Sequence, residues 1–281
     1  MKTLSDFQRK QRKYMPVFAK ATGNPTIYIE GYPCEDKEPI PVTEFHGMQK
    51  HTLFDQFLRY FQVDANIHVG MDNFIYYREG GLRKVVAPDV YVVLGASRYP
   101  LRRSFYTRAE GVVPTVVFEF LSDATESEDR NKKVAVYLRD IGVSEYFIHQ
   151  PDMERPIEFR GWRRDPSGAV VETEPDERGG LFSEALNLYF RWEVQQETQI
   201  RLLRPYLPDG TPITTSMEEH QLRVEEQQLR MEEHQLRRAA EVRANTAETL
   251  ASEEAHRRRE VEAELERLRS QLANATDSDV S

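Results

Sequence analysis

The chain has 281 residues, with 38 Lys+Arg against 47 Asp+Glu for a formal net charge of -9, and 39% of it is hydrophobic. At about 150 residues per domain this allows one or two domains, and the acidic balance argues against a general nucleic-acid coat while leaving local basic patches open. A single cysteine, Cys34, excludes an intrachain disulfide framework and a cysteine-rich zinc site.

No apolar run approaches the roughly 18 residues of a membrane span. The basic N-terminus, MKTLSDFQRKQRKYM, lacks the apolar core of a secretory signal. A cytoplasmic protein with no membrane segment is expected.

Residues 1–40 read as an irregular, proline-containing segment in which TIYIEGYP (26–33) alone is strand-like. A domain over 41–206 follows. Its first helix, within 47–61, places Leu53, Phe54, Phe57, Leu58 and Phe61 on one face. Short runs rich in Val, Ile, Tyr and Phe then predict strands at 66–70, 73–77, 87–94 and 114–122. A second helix is predicted from Thr125, a capping residue, to a stop at Gly142. Further strands are predicted within 145–150, 156–163, 168–174 and 186–194. Helix, strands, helix and more strands describe an α/β or α+β domain around a central mixed sheet.

Composition changes near residue 213. Thirteen of the 15 prolines precede Pro208, and residues 217–272 contain no Gly, Pro or aromatic residue but 14 Glu and 10 Arg. A linker over 207–216, a long charged helix over 217–272 and a disordered tail over 273–281 are expected. The helix begins with a seven-residue repeat, MEEHQLR-VEEQQLR-MEEHQLR, whose Leu222, Leu229 and Leu236 lie five residues after Met217, Val224 and Met231. At about 100° per residue these form two thin apolar rows rather than one seam. Only Val261, Leu265, Leu268 and Leu272 step by 4, 3 and 4. A solvated charged helix and a self-associating coil both remain open, so a homo-oligomer could form through the helix or through the domain.

Two carboxylates interrupt apolar strands: Asp89 in VVAPDVYVVL and Glu119 in VVFEFLS. Such a group costs several kcal/mol unless it is paired, bound to a metal or at a wet strand end. On successive strands the two can converge at one sheet edge, with Lys133 on the helix downstream. Hard oxygen donors of this kind suit Mg2+ or Mn2+. The plainer alternatives are that Asp89 only finishes a turn after Pro88, that Glu119 faces solvent, and that Lys133 belongs to an exposed charged turn. Ser122 has no paired histidine to make it a nucleophile, and His68 and His149 lack ligand spacing and read as structural.

From about Pro41 to Glu193 the chain resembles the Uma-two family of restriction endonucleases within the PD-(D/E)XK nuclease superfamily. The matching stretches are NFIYYREG, KVVAPDVYVV, VVFEFLSDAT, EDRNKKVAVYLRDIGVSEYFI and, more loosely, the helix beginning HGMQK. The resemblance implies a restriction-endonuclease-like mixed sheet of four or five strands flanked by helices, and Mg2+-dependent cleavage of DNA. It assigns the motif aspartate to Asp89, the second acidic ligand to Glu119, and the last metal contact to the backbone carbonyl of Phe120. The superfamily's usual lysine position holds Leu121, and the resembled family supplies a lysine from the next helix, here Lys133, with Tyr137 on its face. Glu44 and Asp55 are candidates for a further acid from the first helix, with His51 and Asp72 weaker ones.

Between the acidic strands, RYPLRRSFYTR carries Arg98, Arg102, Arg103 and Arg108 among aromatic residues. Arginine forks suit phosphates and the rings could stack on bases, whereas a merely solvated loop would fit the same composition. Arg9, Lys10, Arg12 and Lys13 form a second basic patch. Two functions are therefore expected in competition. One is a metal-dependent DNA endonuclease; the other is a non-catalytic nucleic-acid-binding or protein-interaction module that retains the nuclease-like fold.

Overall fold

The computed structural model describes residues 43–78, 83–122 and 128–278, together with Asn24, Thr26, Ile29 and Tyr32. The rest of the expected N-terminal segment, with its basic residues and most of its strand-like stretch, lies outside the described residues, as does Thr125.

Helix α1 spans Glu44–Tyr60. Thr43 caps it, its side chain accepting from the His46 amide at 3.3 Å, with Glu44 in the first turn and Arg59 in the last. Its buried face holds His46, Gln49, Lys50, Leu53, Gln56 and Phe57, so it is polar at one end and apolar further along. Gln49 exchanges two hydrogen bonds with the backbone of Leu203, and Gln56 donates to the carbonyl of Ile213 at 2.6 Å. Buried amides paired in this way fix the helix against the chain that follows the sheet.

The strands are β1 (Ile67–Met71), β2 (Ile75–Tyr76), β3 (Val85–Val86), β4 (Val90–Leu94), β5 (Phe105–Tyr106), β6 (Val116–Phe120), β7 (Glu145–His149), β8 (Phe159–Arg164), β9 (Val170–Glu172), β10 (Leu181–Ser183), β11 (Leu188–Gln195) and β12 (Ile200–Tyr206). A short α2 (Thr107–Glu110) precedes β6. The main sheet runs β1-β4-β6-β7-β8-β9, one strand more than the four or five that the resemblance implied. Within it only β6 and β7 are parallel, and their crossover carries helix α3. Helix α3 covers Glu128–Ile141, π-wound over Glu128–Lys132 and Val136–Ile141 around an α turn at Lys133–Ala135. It stops, as expected, at Gly142, whose φ of 92° favours a residue without a Cβ.

Side chains alternate across the main sheet. Val90, Val92, Val116, Phe118, Phe120 and Phe147 join Leu53 and Phe57 of α1 and the second sheet, β10-β11-β12, in one core. Tyr91, Val93, Val117, Leu121, Tyr146 and Ile148 join Tyr137, Leu138 and Ile141 of α3 in another. Layers on both faces explain why these strands read as continuous apolar runs. The third sheet, β3-β2-β5, surrounds the packed rings of Tyr32, Tyr76 and Tyr106.

Residues 207–215 are not the open linker expected. Ile213 is buried in the first core, its amide donates to the carbonyl of Pro205, and Arg59 donates to the carbonyls of Thr214 and Thr215. Helix α4 runs Ser216–Ser278, past the Leu272 expected as its end and into the stretch expected to be disordered. The chain divides into two units, Met1–Met217 and Glu218–Ser281. In the second, Arg230, Arg237 and Arg258 each pair with a glutamate one turn earlier at 2.7–3.1 Å. Among the described residues no helix is long and apolar enough to cross a membrane.

His68 of β1 reports on packing away from the sheet's acidic end. Its ring stacks on Phe105, and its Nδ1 lies 3.2 Å from an Arg102 nitrogen that can only donate, so the ring is neutral in the fold. Burial, then Arg102 and Arg98, lower its pKa from 6.5 to about 4. An unfolded histidine binds its proton at the higher pH, so this site contributes stability above about pH 6.5 that is lost as pH falls toward 4. Replacing His68 with Gln should make the loss of stability between pH 6.5 and 4.5 shallower, by at most about 3 kcal/mol, when urea unfolding is compared across pH. Equal slopes in the two proteins would show that His68 is not a buried neutral group.

Candidate functional site

The β4–β6 ladder pairs Val90 with Phe118 and Val92 with Val116. Continued by one residue, it sets Asp89 opposite Glu119; the Glu119 side chain meets α3, whereas that of Asp89 meets α1. Pro88 leaves β4 at this point, and its carbonyl accepts from Asp72 N at 3.1 Å. The Phe120 amide donates to the Asp89 side chain, with Oδ2 at 2.7 Å. Asp89 is thereby fixed by the end of the strand it faces. Its other oxygen, Oδ1, lies 2.8 Å from Nε2 of His46 in the first turn of α1. One turn further along α1, Lys50 pairs with Asp72 at 2.7 Å.

Glu119 is 3% exposed in a layer of aromatic rings. Its Oε1 accepts from Lys133 Nζ at 2.9 Å and from the Tyr137 hydroxyl at 2.7 Å. Lys133 Nζ also lies 2.6 Å from Oδ1 of the fully buried Asp129. Asp129, Lys133 and Tyr137 recur at four-residue spacing, so one face of α3 carries all three to the sheet. The Tyr146 hydroxyl donates to the backbone carbonyl of Asp129 at 3.1 Å and holds this turn against β7.

Two carboxylates, those of Glu119 and Asp129, thus share one lysine, and Asp89 lies near enough to act on Glu119. Burial raises the pKa of Glu119; Lys133 opposes that rise, while Asp89 and Asp129 add to it. Burial alone would lower the pKa of Lys133, but Glu119 and Asp129 outweigh it and hold the ammonium above its ordinary value. Lys133 is therefore a fixed cation. A pKa of about 8 leaves Glu119 largely protonated near neutral pH unless a further cation lies beside it. Among the described residues no three His, Cys, Asp or Glu side chains form a ready-made metal cage. Two hard carboxylate donors nonetheless fit Mg2+ or Mn2+, since Mg2+ is commonly held by one or two carboxylates with water and substrate phosphate completing the shell.

Glu119, Lys133 and Tyr137 are in direct contact, and Asp89 lies beside them on the Phe120 amide. The two acids proposed from the first helix do not join them. Glu44 is exposed in the first turn, and Asp55 accepts from the amide and hydroxyl of Ser216, both at 2.6 Å, at the start of α4. The α1 residue that reaches Asp89 is His46. Neither His46 nor Asp129 carries a signal of its own: the first is one polar residue in an irregular approach to a helix, the second one charge among EDRNKK.

The arginine-rich loop is also corrected in part. The Arg102 side chain is fully buried, its fork on Glu110 at 2.6 and 2.7 Å, with further contacts to Ser97 and His68. Arg98 donates to the carbonyls of Phe61, Gln62 and Asp64 just beyond α1. Both guanidinium groups serve the fold: Arg102, a buried fork on a matched carboxylate, has no face left for a phosphate, and Arg98 is engaged by three backbone carbonyls. Arg103 and Arg108 are exposed. His149, read as structural, is buried and bonds the Arg201 carbonyl at 2.7 Å.

A mixed sheet with opposed carboxylates at one strand end and a lysine from the crossover helix has the character of a nuclease-type domain. The family Uma2, described as "Putative restriction endonuclease", matches residues 28–196, and the chain belongs to that family. Among solved structures it is similar to a nuclease, described as putative and belonging to DUF820, from Anabaena variabilis ATCC 29413. That similarity has 16% identity and a TM-score of 0.36, covering 63% of this chain and 87% of that one. No curated protein matches.

The crowded carboxylates give opposite expectations for two substitutions. Glu119→Gln keeps an acceptor for Lys133 and Tyr137 while removing one negative charge, so the metal-free protein should unfold at the same temperature or higher. Lys133→Met strands Glu119 and Asp129 without a counter-ion and should cost about 3 kcal/mol or more. Thermal and denaturant unfolding in chelator check both. Destabilisation by Glu119→Gln as large as that by Lys133→Met would mean the cluster is electrostatically balanced.

Proposed function

We propose that the chain is a metal-dependent endonuclease that hydrolyses phosphodiester bonds of DNA. The observation that carries this reading is the crowding of buried acids around one lysine: Glu119 and Asp129 on Lys133 with Asp89 nearby, where burial and the neighbouring acids raise the pKa of Glu119 to about 8 against the pull of the lysine. A structural ion pair needs one acid for one lysine. A further acid beside that pair destabilises the protein unless it is protonated or something else is bound there.

Asp89 and Glu119 would hold Mg2+ or Mn2+, with the Phe120 carbonyl as a further donor. When bound, the ion supplies charge neutralisation at the scissile phosphate and a water of lowered pKa. Lys133, held protonated, cannot be the base. It donates hydrogen bonds, orienting the attacking water and stabilising the negative charge that builds on the phosphorane. As the water oxygen bonds to phosphorus and gives up a proton to solvent, one ester P–O bond breaks and the departing oxygen takes up a proton from solvent. Asp129 and Tyr137 are positioning residues: the first aims the lysine, the second holds Glu119. His46 holds Asp89 in the same way. Arg103 and Arg108 are the members of the arginine-rich loop with surface to offer a DNA backbone.

Plasmid nicking by the purified chain should require Mg2+ or Mn2+ and stop on chelation. Asp89→Asn and Glu119→Gln should each lower the rate by at least about a hundredfold, and Lys133→Met by a similar factor. In Lys133→Met the metal should still bind, as followed by Mn2+ titration. Nicking that persists in both acid variants would sink the assignment. DNA binding that needs no metal and gives no turnover would establish the non-catalytic module instead.

A further inference from the structure

We infer that helix α4 pairs with a second copy of this chain as an antiparallel two-stranded coiled coil centred near His256. This is independent of the proposed nuclease activity. The helix is 63 residues long, about 95 Å, and from residue 218 to 270 nearly all of it is exposed. Val261, Leu265 and Leu268 are each about half exposed, at 54%, 49% and 51%. Apolar side chains at coiled-coil spacing on a bare helix call for a partner.

The partner is identified by carrying the 4-3 spacing toward the N-terminus. Leu268, Leu265 and Val261 are followed in that register by Arg258, Glu254, Ala251, Ala247 and Ala244. One end of the seam is large, the other is small, and the middle is a pair of opposite charges.

A second copy laid antiparallel so that Glu254 faces Arg258 puts every other layer in register by the same shift. Ala251 meets Val261, Ala247 meets Leu265, and Ala244 meets Leu268, each twice by symmetry. Large residues fill the space left by small ones, and both central charges find opposite partners. A parallel in-register pair does the reverse: glutamate on glutamate, arginine on arginine, leucine on leucine and alanine on alanine. Like charges at the seam destabilise that arrangement. In the antiparallel pair the two Ser216 residues lie about 120 Å apart, since each is 40 residues from the centre.

The full chain carrying Cys34→Ser should sediment at twice its monomer mass at micromolar concentration. Arg258→Glu should return it to monomer, and the exchange Glu254→Arg with Arg258→Glu should restore the dimer. In the same background, chains carrying Ala251→Cys mixed with chains carrying Val261→Cys should form an intermolecular disulfide, while neither alone should. Two copies of residue 251 lie about 15 Å apart along the axis in this register, beyond disulfide reach. A monomeric chain, a dimer that survives Arg258→Glu, or a disulfide formed by Ala251→Cys alone would each overturn the inference.

Discussion

The contact on which the acidic site depends is Lys133 held between Glu119 and Asp129. It follows from topology. β6 and β7 are parallel, so the chain must cross over the sheet between them, and the crossover helix lies on the face where Glu119 points. A carboxylate alone in that aromatic layer would be untenable as an anion. The lysine makes it tenable, and Asp129 restores the strain by adding a second negative charge to the same ammonium. The π windings on either side of Lys133 belong to the same arrangement, since wide turns inside a helix are frequent where a side chain must be re-aimed.

The other half of the site depends on where a strand stops. The β4 ladder begins only at Val90 and the Pro88 carbonyl is taken by the Asp72 amide, so the Phe120 amide of β6 takes the Asp89 side chain as its acceptor. Asp89 is therefore both a turn-ending residue and a candidate ligand, two readings that the sequence sets against each other. Its remaining oxygen is held by His46, so helix α1 and the end of β6 converge there.

What could be read in the sequence was whatever is local. Alternation on doubly buried strands shows as apolar runs, and Glu119 stands out because it breaks one. Lys133 and Tyr137 follow from helical spacing, and Gly142 from its place after a periodic stretch. What could not be read is which charge faces which. Arg102 looked available because its partner Glu110 lies eight residues later, across a strand and a turn. Asp55 looked like a ligand because nothing in its neighbourhood announces Ser216, far along the chain. The strand β12 was missed because Arg201, Arg204 and Pro205 break its apolar pattern, although Arg201 and Pro205 lie in the protein's interior.

The two units use charge in opposite ways. In the first, acids are withdrawn from water and crowded around one lysine. In the second, glutamates and arginines satisfy one another a turn apart on the helix surface, at a few tenths of a kcal/mol per pair. Net charge therefore says little about either unit. Order does: the same Glu–Arg step that is neutral along one helix becomes a registration mark where it falls on the 4-3 seam, because only one orientation of a second copy sets Glu254 against Arg258. Position along the chain, rather than composition, decides whether a charged pair is surface decoration or an address.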